Sequence, residues 1–294
     1  MRIDFRVQPP YKSYLDTHLF NGRPKDPDPV TLNGLMGNIP YYRSFEERSM
    51  DAFLDEMDEA RIDIAVVTGH TAPAPYFGVD NDDIAEIVDK WPDRFIGFGA
   101  IDTNSSDPAE LVRQVEKIAD RGFRGIGIMF GWADTPIYDD DQRLYPMYEK
   151  CAELGMIVTT TSSIFVGPDL SYSDPIHIQR VARDFPDLPI VVSHGSWPWA
   201  TELCGVAFQN SNVYLMPDIY LNVPGIPGAS EYVIAANNFA SYRTLHASAY
   251  PVRPLQDSID GLMQSGLHPG EITDRVLGGN AARLLGLDAS AARF

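Results

Sequence analysis

Eight short runs of β-branched and apolar residues, each bounded by turn residues and followed by helical periodicity, predict an α/β fold, a (β/α)8 TIM barrel. The chain has 294 residues, a length that a single barrel domain commonly reaches. The strand candidates are Arg2–Val7, Asp63–Thr68, Phe95–Ile101, Gly125–Phe130, Ile157–Thr161, Pro189–Ser193, Val213–Pro217 and Thr244–Ser248. Glu46–Ala60, Pro108–Asp120 and Leu144–Leu154 are the clearest helices between them. A doubly wound open sheet suits fewer units, and the count of eight favours the closed barrel. A further C-terminal helix, Pro269–Leu287, is expected to pack on the outside, and residues 1–294 read as one domain.

Three βα connections are long: residues 8–44, 131–143 and 219–229. Loops beyond about 12 residues in a compact domain are often functional. In a barrel they sit at the C-terminal face, where sites are built. No internal repeat, low-complexity tract or linker interrupts the pattern.

Composition narrows the partners. Hydrophobic residues make up 44% of the chain, enough for one large core, and the net charge is −18 from 41 acidic and 23 basic residues. A chain this acidic is unsuited to nucleic acid or to an anionic membrane surface. The acidity is spread along the sequence, as solubility charge is. The two cysteines, Cys151 and Cys204, fall inside predicted helices, are too few for a disulfide framework and form no ligand-spaced cluster. No signal peptide and no apolar run of membrane-spanning length is present, so a cytoplasmic protein is expected.

Several motifs then occur in a telling order. Ile3-Asp4 opens strand 1, Trp91-Pro92-Asp93-Arg94-Phe95 precedes strand 3, and Gly122-Phe123-Arg124-Gly125-Ile126 precedes strand 4. Phe185-Pro186-Asp187-Leu188 is followed by Val192-Ser193-His194-Gly195-Ser196-Trp197-Pro198-Trp199. Ala249-Tyr250-Pro251 and Gly279-Asn280-Ala281-Ala282-Arg283-Leu284-Leu285 complete the set. Over essentially its whole length the chain resembles the amidohydrolase-related family. The branch is the one with aminocarboxymuconate-semialdehyde decarboxylase, the aromatic-acid decarboxylases and pyrone-dicarboxylate lactonase.

Metal-bearing members of that family place a carboxylate or His and a second His on strand 1, a His on strand 5 and an Asp on strand 8. At the matching positions this chain has Arg6 and Gln8, Thr161, and Ala249, and only His194 on strand 6 is kept. Guanidinium offers donors only, and one His does not hold a catalytic divalent ion, which takes about three protein ligands. No metal and no other cofactor is therefore expected. The family's lactonase works without metal but keeps the strand 8 Asp that is Ala249 here. The resemblance also implies a homodimer or tetramer.

The remaining polar residues suggest roles. Arg6 has the fork to bind a carboxylate or oxyanion, or else forms an ion pair with Asp4 or Asp218. His194 ends strand 6 with its ring expected in the pocket, as general acid or base. Asp218, at the end of strand 7, is the carboxylate to orient it or assist. Gln8, Thr161, Ser163 and His70 are candidate substrate contacts, and Trp132, Tyr138, Trp197, Tyr220 and Tyr250 a candidate wall for a flat ring. Ser162-Ser163-Ile164 lacks a nucleophile elbow, so hydrogen bonding is expected there. His18, His177, His246 and His268 carry no usable pattern.

The expected function is a metal-independent hydrolase or lyase of a small carboxylated, aromatic or cyclic compound: lactone opening, hydration or elimination, or C–C cleavage. Arg6, His194 and Asp218 would be its catalytic residues. Two alternatives stand beside it. One is a non-catalytic descendant that binds a metabolite or partner. The other is a metal enzyme with relocated ligands drawn from His70, His194, Asp218 and Asp102.

Overall fold

Parallel neighbours in strict chain order, with a helix at each crossover, are the winding of a TIM barrel. The computed structural model describes residues 1–21, 42–72, 77–105 and 107–287. Within them β1 (Ile3–Val7), β2 (Ile64–Thr68), β3 (Phe95–Ala100), β4 (Gly125–Ile128), β5 (Ile157–Thr161), β6 (Ile190–Ser193) and β7 (Val213–Met216) form one sheet in that order. The outer layer holds α1 (Met50–Glu59), α2 (Asn81–Lys90), α3 (Pro108–Asp120), α4 (Tyr145–Glu153), α5 (Pro175–Asp184), α6 (Ala200–Gln209), α7 (Ala229–Asn237) and α8 (Leu255–Gln264). Most of the long connection 8–44, from residue 22 to 41, lies outside the described residues, as do residues 288–294.

The local chemistry explains both matches and departures. In α3, Asp107 caps the helix by accepting from the Ala109 N–H at 3.1 Å, and Pro108 sits in the first turn where no donor is needed. Leu111, Val115 and Ile118 then bury one face. The expected helix Glu46–Ala60 is instead two pieces. Arg48 turns left-handed (φ 51°) after Arg43–Glu47, and Ser49 caps α1 by accepting from the Ala52 N–H at 3.2 Å.

The eighth run, Thr244–Ser248, closes the ring without being a regular strand. On one side the Leu215 N–H donates to Arg243 O (2.8 Å) and the Leu245 N–H to Leu215 O (2.9 Å); on the other, the Phe5 N–H donates to His246 O (3.0 Å). Two amides that would continue the ladder are taken elsewhere. The His246 N–H donates to Val276 O at 3.0 Å, and the Ser248 N–H to the Asp4 carboxylate at 3.0 Å. Ala249 then turns left-handed (φ 57°).

Side-chain alternation sorts the strands into two faces. In β5, Ile157 joins an interior cluster with Phe5, Phe98 and Val191, while Val158 packs in the larger cluster toward the helices. The C-terminal segment does not lie along the flank, as expected, but beneath the barrel. Ala281, Ala282 and Leu285 join the interior cluster, and Gly278 approaches so closely that a Cβ would stand 2.2 Å from Met1 O. It is also broken, into Glu271–Asp274, a π-type turn Arg275–Gly279 and Asn280–Leu284. Cys151 in α4 and Cys204 in α6 are buried free thiols. Among the described residues no helix is long and apolar enough to cross a membrane.

Candidate functional site

With its N-terminal end plugged, the barrel has its cavity at the other end of the strands. Its volume is about 230 Å³. Ligand cavities begin at about 300 Å³, so the space suits a small molecule. Arg6, Gln8, His70, Trp132, Thr161, Ser163 and His194 all line it.

Strand β1 delivers two of these through a change of register. Its pairing with β2 shifts between Asp4 and Val7, as at a β-bulge. Phe5 therefore stays in the interior cluster, while Arg6 and Gln8 line the cavity and Val7 packs toward the helices. The Arg6 side chain is only 6% exposed. Among the described residues its guanidinium forms neither an ion pair nor a hydrogen bond. Burial lowers its pKa from the usual value, and Asp218 and Asp4 oppose that through space. The alternative of a structural ion pair with either carboxylate is not what the side chains form.

His194 and Asp218 form a buried pair. His194 Nδ1 lies 2.9 Å from Asp218 Oδ1, and the His194 backbone N–H donates to Asp218 Oδ2 at 3.1 Å. Asp218 Oδ1 also accepts from the Ile219 N–H at 2.6 Å. A carboxylate opposite Nδ1 fixes the proton there and leaves Nε2 for the cavity. The backbone is forced to make this geometry. His194, Gly195 and Ser196 turn left-handed together (φ 61°, 60° and 54°), and Asp218 has φ 41°. Such conformations cost on the order of 1–3 kcal/mol each for non-glycine residues and cluster at functional sites. Gly195 is required twice over, since a Cβ there would also stand 2.9 Å from the Tyr232 ring.

Gln8 and His70 make a second contact across the wall, with Gln8 Nε2 3.3 Å from His70 Nδ1. Among the described residues Gln8 Oε1 is buried without a partner. His70 has its pKa lowered to about 4, first by burial and then by the Arg6 charge, with the Phe77 backbone opposing, so its ring is neutral near pH 7. Behind Arg6, Asp4 Oδ1 accepts from the Arg6 and Ser248 N–H groups at 3.1 and 3.0 Å, and Oδ2 has no partner among the described residues. Burial raises the Asp4 pKa to about 6; hydrogen bonds from Ser248 and Arg6 oppose the rise, and Asp218 adds to it.

The expected aromatic wall is largely elsewhere. Tyr250 packs against Tyr42 and Phe53, and its hydroxyl meets Ser44 Oγ at 2.7 Å. After left-handed Ala249 the alternation no longer holds, which takes that ring off the cavity wall. Trp197 and Tyr220 stack on each other (5.0 Å, 8°), and Tyr220 meets the His194 ring edge-on, behind the cavity surface rather than on it. Tyr138 stacks on His177 outside the barrel mouth. The wall comes instead from Leu19, Met129, Phe165, Val166, Ile219 and Val252. Thr17 and His18, in the first βα loop, also line it. Their only signal in the sequence was their place after strand 1.

The donor set does not fit a divalent ion. A buried guanidinium, which offers only donors, and a neutral amide occupy the strand 1 positions, so of the matching set only His194 brings a ring nitrogen, Nε2, to the cavity. Among the described residues no three His, Cys, Asp or Glu side chains converge as a metal site requires. Of the relocated set, His70 and His194 line the cavity, whereas Asp102 is exposed, its carboxylate accepting from the Asn104 N–H at 3.0 Å.

Comparison with known proteins agrees with this architecture. An uncharacterised TIM-barrel protein of Bordetella bronchiseptica is 35% identical, with 97% of this chain and 98% of that one covered and a TM-score of 0.88. A probable 2-pyrone-4,6-dicarboxylic acid hydrolase of Acinetobacter baumannii, solved with citric acid bound, shares the fold at 12% identity, 97% and 99% coverage and a TM-score of 0.65. So does a dihydroxybenzoic acid decarboxylase of a Polaromonas species, solved with manganese and 2-nitroresorcinol, at 17% identity, 100% and 99% coverage and a TM-score of 0.65. The search of curated proteins finds no match. The family model described as amidohydrolase matches residues 16–287, and the chain belongs to that family.

Proposed function

We propose that the chain is a hydrolase or lyase acting on a small carboxylated compound, aromatic or cyclic, without a metal ion. The observation that carries this reading is the buried, ion-pair-free guanidinium of Arg6 on the cavity wall. Buried charge is costly unless compensated, and a carboxylate entering the cavity supplies the compensation with a bidentate pair. The relatives solved with citric acid and 2-nitroresorcinol support a small, polar-substituted ligand in this fold.

In this mechanism Arg6 seats the carboxylate or stabilises negative charge that develops on an adjacent oxygen. His194 Nε2 takes a proton from water or from the substrate and later returns it to the departing group. Asp218 holds the Nδ1 proton and stabilises the charged ring that forms in between. Thr161 and Ser163 supply hydroxyls along the wall. Lactone opening, hydration or elimination, and C–C cleavage all suit this set. Amide hydrolysis suits it poorly, because nothing here activates water strongly. A homodimer or tetramer belongs to the same reading and is checked by light scattering.

The test is a proton NMR turnover screen of lactones and hydroxylated or unsaturated aromatic acids with chelator-treated protein. Turnover by the wild type that His194→Asn abolishes, with binding kept, supports the reading. Turnover that vanishes with chelator and returns with manganese rejects its metal-free part. Binding without any turnover makes the chain a metabolite-binding descendant instead.

A further inference from the structure

Two residues apart on β1, the cavity wall offers opposite hydrogen-bonding demands. Arg6 presents donors and a positive charge. Gln8 presents a buried amide oxygen with no partner among the described residues, and the residue is 2% exposed. A buried acceptor left unmatched is costly, so its orientation needs a cause.

His70 supplies that cause. Gln8 Nε2 faces His70 Nδ1 at 3.3 Å, and the Phe77 backbone interacts with the same ring. The amide NH2 of Gln8 can only donate, so this contact makes Nδ1 the acceptor and places the ring proton on Nε2. An acceptor at Nδ1 admits only the amide NH2 of Gln8, and the amide oxygen must then turn away from the ring. The low His70 pKa of about 4 keeps the ring neutral, so this arrangement is not undone near neutral pH. His70 is itself anchored: its carbonyl accepts from the Val79 N–H at 2.8 Å.

We propose that Gln8 is a specificity-determining residue that requires a hydrogen-bond donor beside the ligand's carboxylate, and that His70 is the positioning residue which sets the Gln8 amide through its tautomer. This rests on the proposed role of Arg6 as carboxylate anchor. It adds a ligand class: acids whose carboxylate is accompanied by a hydroxyl or another N–H or O–H donor. A site built to bond such a group rejects the analogue lacking it, because the buried acceptor is then unpaired.

Two measurements decide it. The first needs no ligand: a long-range 15N–1H spectrum of histidine-labelled protein at pH 7, with His70 assigned by its loss in His70→Gln. A neutral ring protonated on Nε2 is expected. Protonation on Nδ1 would turn the amide NH2 of Gln8 toward the cavity and overturn the proposal. The second compares binding of 2-hydroxybenzoate, 2-methoxybenzoate and benzoate to the wild type and Gln8→Met. The wild type is expected to prefer the hydroxy acid roughly five- to tenfold, the worth of one neutral hydrogen bond, and Gln8→Met to lose the preference while still binding all three. Equal wild-type affinities, or a preference that survives in Gln8→Met, overturn the proposal. If none of the three binds, the Arg6 anchor fails, and the tautomer still decides the arrangement of Gln8 and His70.

Discussion

Among the described residues, two His–Asp pairs of nearly equal length stand in very different settings. His194 Nδ1 and Asp218 are 2.9 Å apart at the cavity, whereas His177 Nδ1 and Asp140 are 2.7 Å apart on the outer layer. Asp140 also pairs with Arg180 at 2.6 Å, and the His177 ring lies flat on Tyr138 at 4.1 Å. That outer pair ties the β4–α4 connection to α5 and has its charge answered by a neighbouring cation. The inner pair has no such cation bonded to it. Asp218 is spent on the His194 backbone, ring and next residue, and Arg6 acts on it only through space. A His–Asp contact is thus not a site by itself. What distinguishes the inner pair is a ring nitrogen left for a cavity and a charge balance that a ligand completes.

The comparison is broken most sharply by activity. His194→Asn should lower turnover by about 10²–10⁴, the usual contribution of a positioned acid or base, while His177→Asn should leave turnover unchanged. Equal losses from both in the steady-state rate would mean that the pairs are equivalent. Arginine gives the next largest contrast. Arg6→Met should weaken carboxylate binding roughly 100-fold, as expected for a lost charge-assisted pair, and leave unfolding free energy unchanged or higher. Arg180→Met should leave binding alone and cost about 0–1 kcal/mol in denaturant unfolding, because the Arg180 side chain is half exposed and Asp140 keeps His177.

A smaller effect separates the regions by pH. Asp4 inside and Asp139 outside both have pKa values raised to about 6, chiefly by burial. A raised carboxyl contributes stability that is fully present below its unfolded pKa and is lost as pH rises through about 6. His70 runs the other way: its lowered pKa gives stability present above the unfolded value and lost as pH falls through about 4. Asp4→Asn keeps an oxygen to accept from the Arg6 and Ser248 amides. It should therefore gain on the wild type as pH rises from 4.5 to 8, by on the order of 2 kcal/mol in paired unfolding curves. A constant difference across that range would show that Asp4 does not titrate in this window.

Much of this was legible in the sequence, and the gaps have physical causes. Strands β1 to β7 announce themselves because buried parallel strands need apolar runs closed by turn residues. The end-of-strand rule placed His194 and Asp218 together, and the family resemblance put Arg6 and Gln8 at the strand 1 pair's positions. The eighth run closes the ring as the sequence predicts but is not a regular strand, because two of its amides bond Val276 and Asp4 instead of a neighbouring strand, a long-range choice no local pattern reveals. Tyr250 was assigned to the pocket by position, but a left-handed Ala249 redirects the chain just before it. His18 shows no pattern in the sequence, because the single helical turn it opens, His18–Asn21, is too short to carry a period. Leu19, Phe165 and Val252 look like any apolar residue until the fold brings their loops together.

The account's central claim is that Arg6 is a ligand anchor at the barrel mouth and not a structural charge. Calorimetric titration of 2-hydroxybenzoate and of citrate into the wild type and Arg6→Met, with unfolding curves of both proteins, tests it most directly. The prediction is saturable binding of at least one acid by the wild type and a roughly 100-fold loss in a variant that is at least as stable. Equal affinity in the two proteins, or an Arg6→Met chain that no longer folds, would contradict it.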